Sequence, residues 1–289
     1  LSASTTILTQ APPTGLWRLW KRHPNFVIGA MMLGSALLAA IAAPWLGTID
    51  PQMIAPFNRL EAPGANFWFG GDLVGRDVYS RTIYGSRISL AVGLGVAVIG
   101  ISLGLVVGIL SGFVSWVDQI LMRVMDGLMA IPSILLAVAL ISLTGASLKN
   151  VIIAISIAEI PRVARLVRSV VLQLKERPYV EAAITAGTPF IWILWRHILP
   201  NTLAPLLVQA TYIFASAVLT EAILSFIGAG TPPSTPSWGN IISEGRTVFS
   251  IAPHIVLFPG IALSFTVLGV NLMGDGLRDI FDPRYVSRT

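Results

Sequence analysis

Residues 176–201 read Glu-Arg-Pro-Tyr-Val-Glu-Ala-Ala-Ile-Thr-Ala-Gly-Thr-Pro-Phe-Ile-Trp-Ile-Leu-Trp-Arg-His-Ile-Leu-Pro-Asn, a polar island in an otherwise apolar chain. Pro178 marks a break before the island's core and Thr188-Pro189 a break after it, because proline lacks an N–H and turns its predecessor away from helix. A short helix over 179–187 is predicted, roughly 13 Å long at about 1.5 Å per residue. That length falls well short of the roughly 30 Å hydrocarbon core of a bilayer. Ala182, Ala183, Ala186 and Gly187 are all small, so another surface can approach the backbone closely, and Glu181 supplies one fixed charge. Such a helix suits docking into a partner's groove better than catalysis.

The rest of the chain sets the context. Of its 289 residues 54% are hydrophobic and 11% charged, with a mean hydropathy of +0.78, whereas soluble domains carry roughly 25% charged residues. An all-α integral membrane protein is predicted. The net charge is +5, but the basic residues cluster near the ends of apolar runs, so they read as membrane topology and contact with lipid rather than as a nucleic-acid surface. The chain has no cysteine, which excludes disulfides, thiolate metal sites and cysteine nucleophiles.

Six spans are predicted. Residues 1–25 form a cytoplasmic tail: 1–14 are Ser/Thr/Pro-rich and read as disordered, and Trp17 to His23 mix basic and tryptophan residues as an interfacial segment does. The first residue is Leu, so a trimmed start is expected. The first span covers 26–45. Ala40-Ile41-Ala42 resembles a signal cleavage site, but the apolar run is long for a signal peptide and its leader overlong, so a retained span is expected. A periplasmic loop, 46–87, leads into a core of five spans over 88–275. The second, 88–113, spaces Gly100, Gly104, Gly108 and Gly112 by four, which makes one small face for close helix packing. The third, 127–143, is interrupted by Pro132; the fourth is 151–171, the fifth 203–227 and the sixth 255–272, before a cytoplasmic tail at 276–289. Of the 19 Lys and Arg residues, 13 fall on the side of the two termini and of 162–201, and six on the other. By the positive-inside rule both termini and the polar island are cytoplasmic.

Glu181-Ala182-Ala183, then Gly187, then Leu199-Pro200 resemble the EAA motif of permease subunits of bacterial ABC importers. His197 stands where the general pattern has isoleucine, with Ile198 beside it. The resemblance implies a type I permease fold in which this helix is the coupling helix, with Glu181, Ala182, Ala183, Ala186, Gly187, Leu199 and Pro200 forming the contact with a separate ATPase. Residues 71–90, 224–239 and 271–284 resemble, in order, segments of the dipeptide, oligopeptide and nickel branch of that family, the "C"-type permease. The expectation is a multi-pass subunit of the bacterial inner membrane that imports dipeptides or oligopeptides, with nickel complexes or another small solute as the alternative. Its implied partners are a second, homologous permease in a heterodimer, two ATPase subunits and a periplasmic or lipid-anchored substrate-binding protein. ATP and magnesium belong to the ATPases; this chain binds no cofactor and catalyses no bond chemistry.

Several residues stay open to two readings. Asp77 and Arg81, spaced i,i+4, read as a staple on a short surface helix; with Arg76 they either meet the binding protein or merely stabilise the loop. Glu159 lies one turn before Arg162 and reads as a local ion pair near the cytoplasmic boundary. Glu221, deep in the fifth span and without a charged neighbour, reads either as a structural hydrogen-bonding group or as part of the translocation path, since an ionisable residue within a span is costly unless partnered. Asp126 reads as interfacial. No Gly-x4-Gly-Lys-Ser/Thr phosphate loop is present, and His23, His197 and His254 are too scattered for a metal site or a hydrolytic triad. A self-contained secondary transporter predicts internal repeats and paired broken helices; Pro132 and Pro161 are the only hints of these.

Overall fold

The computed structural model describes residues 23–281; the predicted tail and interfacial segment before residue 23, and Asp282-Pro283-Arg284, lie outside them. Among the described residues the regular structure is helical, with one isolated bridge between Gly71 and Asp77. In chain order the helices are α1 (Pro24–Ala42), α2 (Val78–Phe113), α3 (Ser115–Ala130), α4 (Ser133–Thr144), α5 (Leu148–Lys175), α6 (Pro178–Thr185), α7 (Phe190–Ile193), α8 (Leu199–Phe226), α9 (Trp238–Gly245) and α10 (His254–Phe281). A π-helical turn, Leu194–Ile198, joins α7 to α8.

Four stretches are long and apolar enough to cross a membrane: Pro24–Trp45, Val78–Phe113, Phe190–Phe226 and His254–Phe281. The predicted third span is corrected. Instead of one run over 127–143, α3 and α4 meet at a 92° bend and count as a fifth span only if taken as a pair. The physical reason is Pro132, which removes a helix donor and forces Ile131 into extended backbone. The predicted fourth span forms as α5, but Lys149, Glu159, Arg162, Arg165, Arg168 and Lys175 leave it too polar to qualify by composition. The second span begins ten residues earlier than the apolar pattern indicates, at Val78, because Asp77 caps the helix there.

The glycine face does what its spacing predicts. A methyl group at Gly108 would lie 2.6 Å from the Val167 Cβ, and one at Gly112 would lie 2.5 Å from the Val171 Cγ1. Any side chain there would push α5 away, so α2 and α5 pack backbone against side chain along their length. Val163, Val167 and Val171 are buried in that seam, within a core that α8 completes through Leu206, Ile213, Ala217 and Leu224. The first helix, α1, lies against α10, where Gly269 faces Met32 and Gly276 faces Phe26. This packing leaves two ends: one gathers the C-termini of α2 and α5 with α6 and α7, the other gathers the 46–77 loop with α9 and the N-terminus of α10.

Candidate functional site

The polar island forms a short helix that one side chain pins. Pro178 sits in the first turn of α6, where its missing N–H costs nothing, and Glu181 places a carboxylate in the same turn, near the positive end of the helix dipole. Val180 is fully buried, whereas Tyr179, Glu181, Ala182, Ile184, Thr185, Ala186 and Gly187 are exposed and Ala183 is half-buried. The helix ends in a Schellman motif: the Thr188 N–H donates to the Ala183 carbonyl at 3.0 Å, and the Gly187 N–H to the Ile184 carbonyl at 3.0 Å. Gly187 takes φ +76°, and a Cβ there would meet open space. The conformation calls for glycine, and the bare surface beside it is free to receive a neighbour.

Around α6 the chain is anchored to both long core helices. Lys175 donates to the Gly112 carbonyl at 3.2 Å, and Phe113 meets Phe190 edge to face with centroids 4.8 Å apart. Trp192 and Trp195 remain exposed beside it. Leu199 and Pro200 open α8 just after the π turn, flanked by buried Ile198. All seven residues expected to form the contact therefore gather at one end of the molecule, on or next to an exposed helix.

The opposite end is wired differently. Asp77 and Arg81 do not pair, contrary to the i,i+4 expectation. Asp77 turns its carboxylate to the α2 N-terminus and accepts from the N–H groups of Tyr79 at 3.2 Å and Ser80 at 2.9 Å. Arg81, 1% exposed, bridges Asp72 at 2.5 Å and Glu244 of α9 at 2.6 Å, and Arg76 bridges the same two carboxylates at 2.6 Å each. Burial pushes the Asp72 carboxyl up, but hydrogen bonds from the Val74 and Arg76 N–H groups and the charges of Arg81 and Arg76 outweigh it and hold it below the usual aspartate range. Two of the three residues expected at a docking surface, Asp77 and Arg81, are thus buried; Arg76 is partly open.

Glu221 is placed near the C-terminal end of α8 rather than deep in the span, about 7.5 Å from its last residue Phe226. It is fully buried and accepts hydrogen bonds from Ser225 and Ser237, each at 2.8 Å. Ser237 also caps α9 by accepting from the Asn240 N–H. Glu159 does pair with Arg162, at 2.9 Å. Asp126 reaches Arg165 at 2.6 Å, and Asp118 holds Arg168 through two bonds of 2.5 and 2.6 Å. Among the described residues no three histidine or acidic side chains converge as metal ligands would.

With this geometry in place, comparison with known proteins identifies the family. Residues 82–287 match the family described as binding-protein-dependent transport system inner membrane component. The chain belongs to that family. A probable peptide ABC transporter permease of Sinorhizobium fredii is 54% identical over 271 residues, 94% of this chain and 93% of that protein. A dipeptide transport system permease of Alkalihalophilus pseudofirmus is 42% identical over 92% of this chain and 88% of its own length. A glutathione transport system permease of Pectobacterium atrosepticum is 39% identical over 96% and 93%. The inward-facing MetNI methionine ABC transporter superposes with a TM-score of 0.57 over 70% of this chain and 96% of that one. Its 22% identity speaks for the fold alone.

In this family member, sequence reasoning missed the groups that tie distant segments together. Glu244 lies 163 residues from Arg81, and no local pattern links them. Asn240 donates to the carbonyls of Thr231, Pro232 and Thr235, so one amide closes the proline-rich loop. Ser225 had a readable signal, standing one turn after Glu221.

Proposed function

We propose that the chain is a transmembrane subunit of an ATP-driven importer of dipeptides or oligopeptides. One observation carries this reading: relatives named as peptide, dipeptide and glutathione permeases align with it over about nine-tenths of both chains. On this reading the α3–α4 pair and α5 each count as a span, giving six with both termini cytoplasmic. The chain forms half of a passage with a second, homologous permease. Two ATPase subunits, which hold ATP and magnesium, dock on the cytoplasmic face, and a substrate-binding protein delivers cargo outside.

In that assembly α6 is the coupling helix, lying in a cleft of the ATPase. Closure of the ATPases pulls α6 toward its counterpart, and α5 carries the displacement to α2 through the glycine seam. A seam packed to contact moves as one body, so a shift at one end reappears at the other. The external end, with Arg76 at its surface and Asp77 and Arg81 positioning it from beneath, meets the binding protein.

The test is to assemble the chain with the products of its neighbouring genes in lipid nanodiscs and to record ATPase rate with binding protein and dipeptides, longer peptides or nickel complexes. Stimulation by peptides is expected. Stimulation only by another solute removes the cargo assignment and leaves the architecture, while failure of any ATPase to associate removes the importer reading.

A further inference from the structure

The fate of the two buried glutamates differs, and the difference marks a surface. Glu221 is enclosed by serines and offers nothing to a passing molecule. Glu159 sits at the midpoint of α5 and is held by a neighbour that is not enclosed: the Arg162 side chain is 43% exposed. Among the described residues only the Arg162 Nη1 is taken up, by Glu159. The guanidinium lies 5.4 Å from the ring centre of Tyr212 on α8, itself 53% exposed, and Ser216 stands 3.5 Å from the other Glu159 oxygen. Gln209, Tyr212, Ser216 and Thr220 follow each other at three and four residues, so they share one face of α8.

At the level of that face, where Val163 packs against Gly104, the exposed positions of α2 are apolar, Leu103 and Val106. An uncovered guanidinium beside a tyrosine and a serine does not belong against lipid tails. Toward the cytoplasmic end the same groove opens into a cavity of about 390 Å³ between α5, α8 and α10, lined by Leu166, Pro205, Val208, Gln209 and Arg278 among others. The Gln209 amide nitrogen is buried without a partner among the described residues.

Resting on the reading of the chain as a peptide importer subunit, we propose that this α5–α8 face is the wall of the passage, and that Arg162 receives the carboxylate end of a passing peptide. Glu159 holds the guanidinium from behind, and the Tyr212 ring keeps it directed outward. The free N–H groups supply the bonds that a carboxylate accepts.

Because the chain has no cysteine, single thiols report on it cleanly. In the nanodisc assembly, Ser216→Cys and Tyr212→Cys are exposed to a membrane-impermeant methanethiosulfonate, with Ile261→Cys as the apolar control. Fast labelling at 212 and 216 is expected, with a dipeptide slowing the reaction at 216 by about tenfold, roughly what one charge-assisted hydrogen bond is worth. That protection should vanish in Arg162→Gln and survive in part in Arg162→Lys, which keeps a charge opposite Glu159 and guards against simple misfolding. Labelling at 212 and 216 no faster than at 261 overturns the wall. Fast labelling that peptides never slow, in an assembly whose ATPase they do stimulate, overturns the role of Arg162 while the importer reading stands. If peptides fail to stimulate the unsubstituted assembly, the importer reading and this inference fall together.

Discussion

The two ends of the molecule are built on opposite plans. One end sets two arginines, Arg81 buried and Arg76 partly open, between an aspartate and a glutamate drawn from segments far apart in sequence, so the 46–77 loop, α2 and α9 form one rigid piece. The opposite end, around α6, leaves a two-turn helix exposed, with Val180 as its fully buried side chain. An end that must hold a shape is crosslinked by charge, whereas an end that must be gripped presents small residues and few internal ties.

The sharpest way to break this contrast is Arg81→Met. Leaving Asp72 and Glu244 without their buried partner is expected to cost about 3–5 kcal/mol, read as a large drop in the thermal unfolding temperature of the detergent-purified protein. A change within error would mean that this end is not held by its ion network. At the other end, Gly187→Trp is expected to leave the protein in the membrane while abolishing peptide transport. The backbone strain is only about 1–2 kcal/mol, so under the proposed coupling role the loss would come from blocked seating of the ATPase. Gly187→Asn sharpens this, because asparagine tolerates positive φ: purified yield should match that of the parent while transport still falls. Normal transport by Gly187→Trp would refute the docking role.

Smaller effects follow. Ser237→Ala removes the α9 cap and one donor to Glu221, and is expected to destabilise by about 1–2 kcal/mol, measurable as a shift in the same unfolding curve. For Asp72 the direction of the pH effect is fixed. Its folded carboxyl titrates below the usual range, so the unfolded chain takes up the proton first; the stability it contributes is full above about pH 3.9 and is lost as pH falls through the depressed value. Melting curves below pH 4 should therefore be less steep in pH for Asp72→Asn than for the parent. Asp126→Asn is expected to change least, about 0.5 kcal/mol or less, since the Asp126 and Arg165 side chains are both exposed to about half or more.

What could be read in advance follows from how far each signal reaches along the chain. Pro178, Gly187 and the four-residue glycine spacing act on their own helix or the next one, and all three did what local chemistry dictates. Asp77 shows the limit of the i,i+4 rule. At a helix start the first N–H groups compete for the same carboxylate, and they win because they are fixed in place. Pro132 announced a break, but no local pattern gives the 92° angle, nor the pairing of Asp118 and Asp126 of α3 with Arg168 and Arg165 of α5. Glu244 carried no local signal, since its partners lie on the far side of at least six intervening helices, α3 to α8, in the chain.

The π turn at Leu194–Ile198 has a consequence for phase. A wide turn accommodates one residue more than an α-helix does, and each residue of an α-helix advances the face by about 100°. Removing a single residue there would leave α6 and α8 intact but rotate one against the other by more than a quarter turn. Tyr212 and Ser216 would then swing away from Arg162 while α6 kept its place. The turn acts as the key that indexes two shafts, and a one-residue deletion is the change that would slip it.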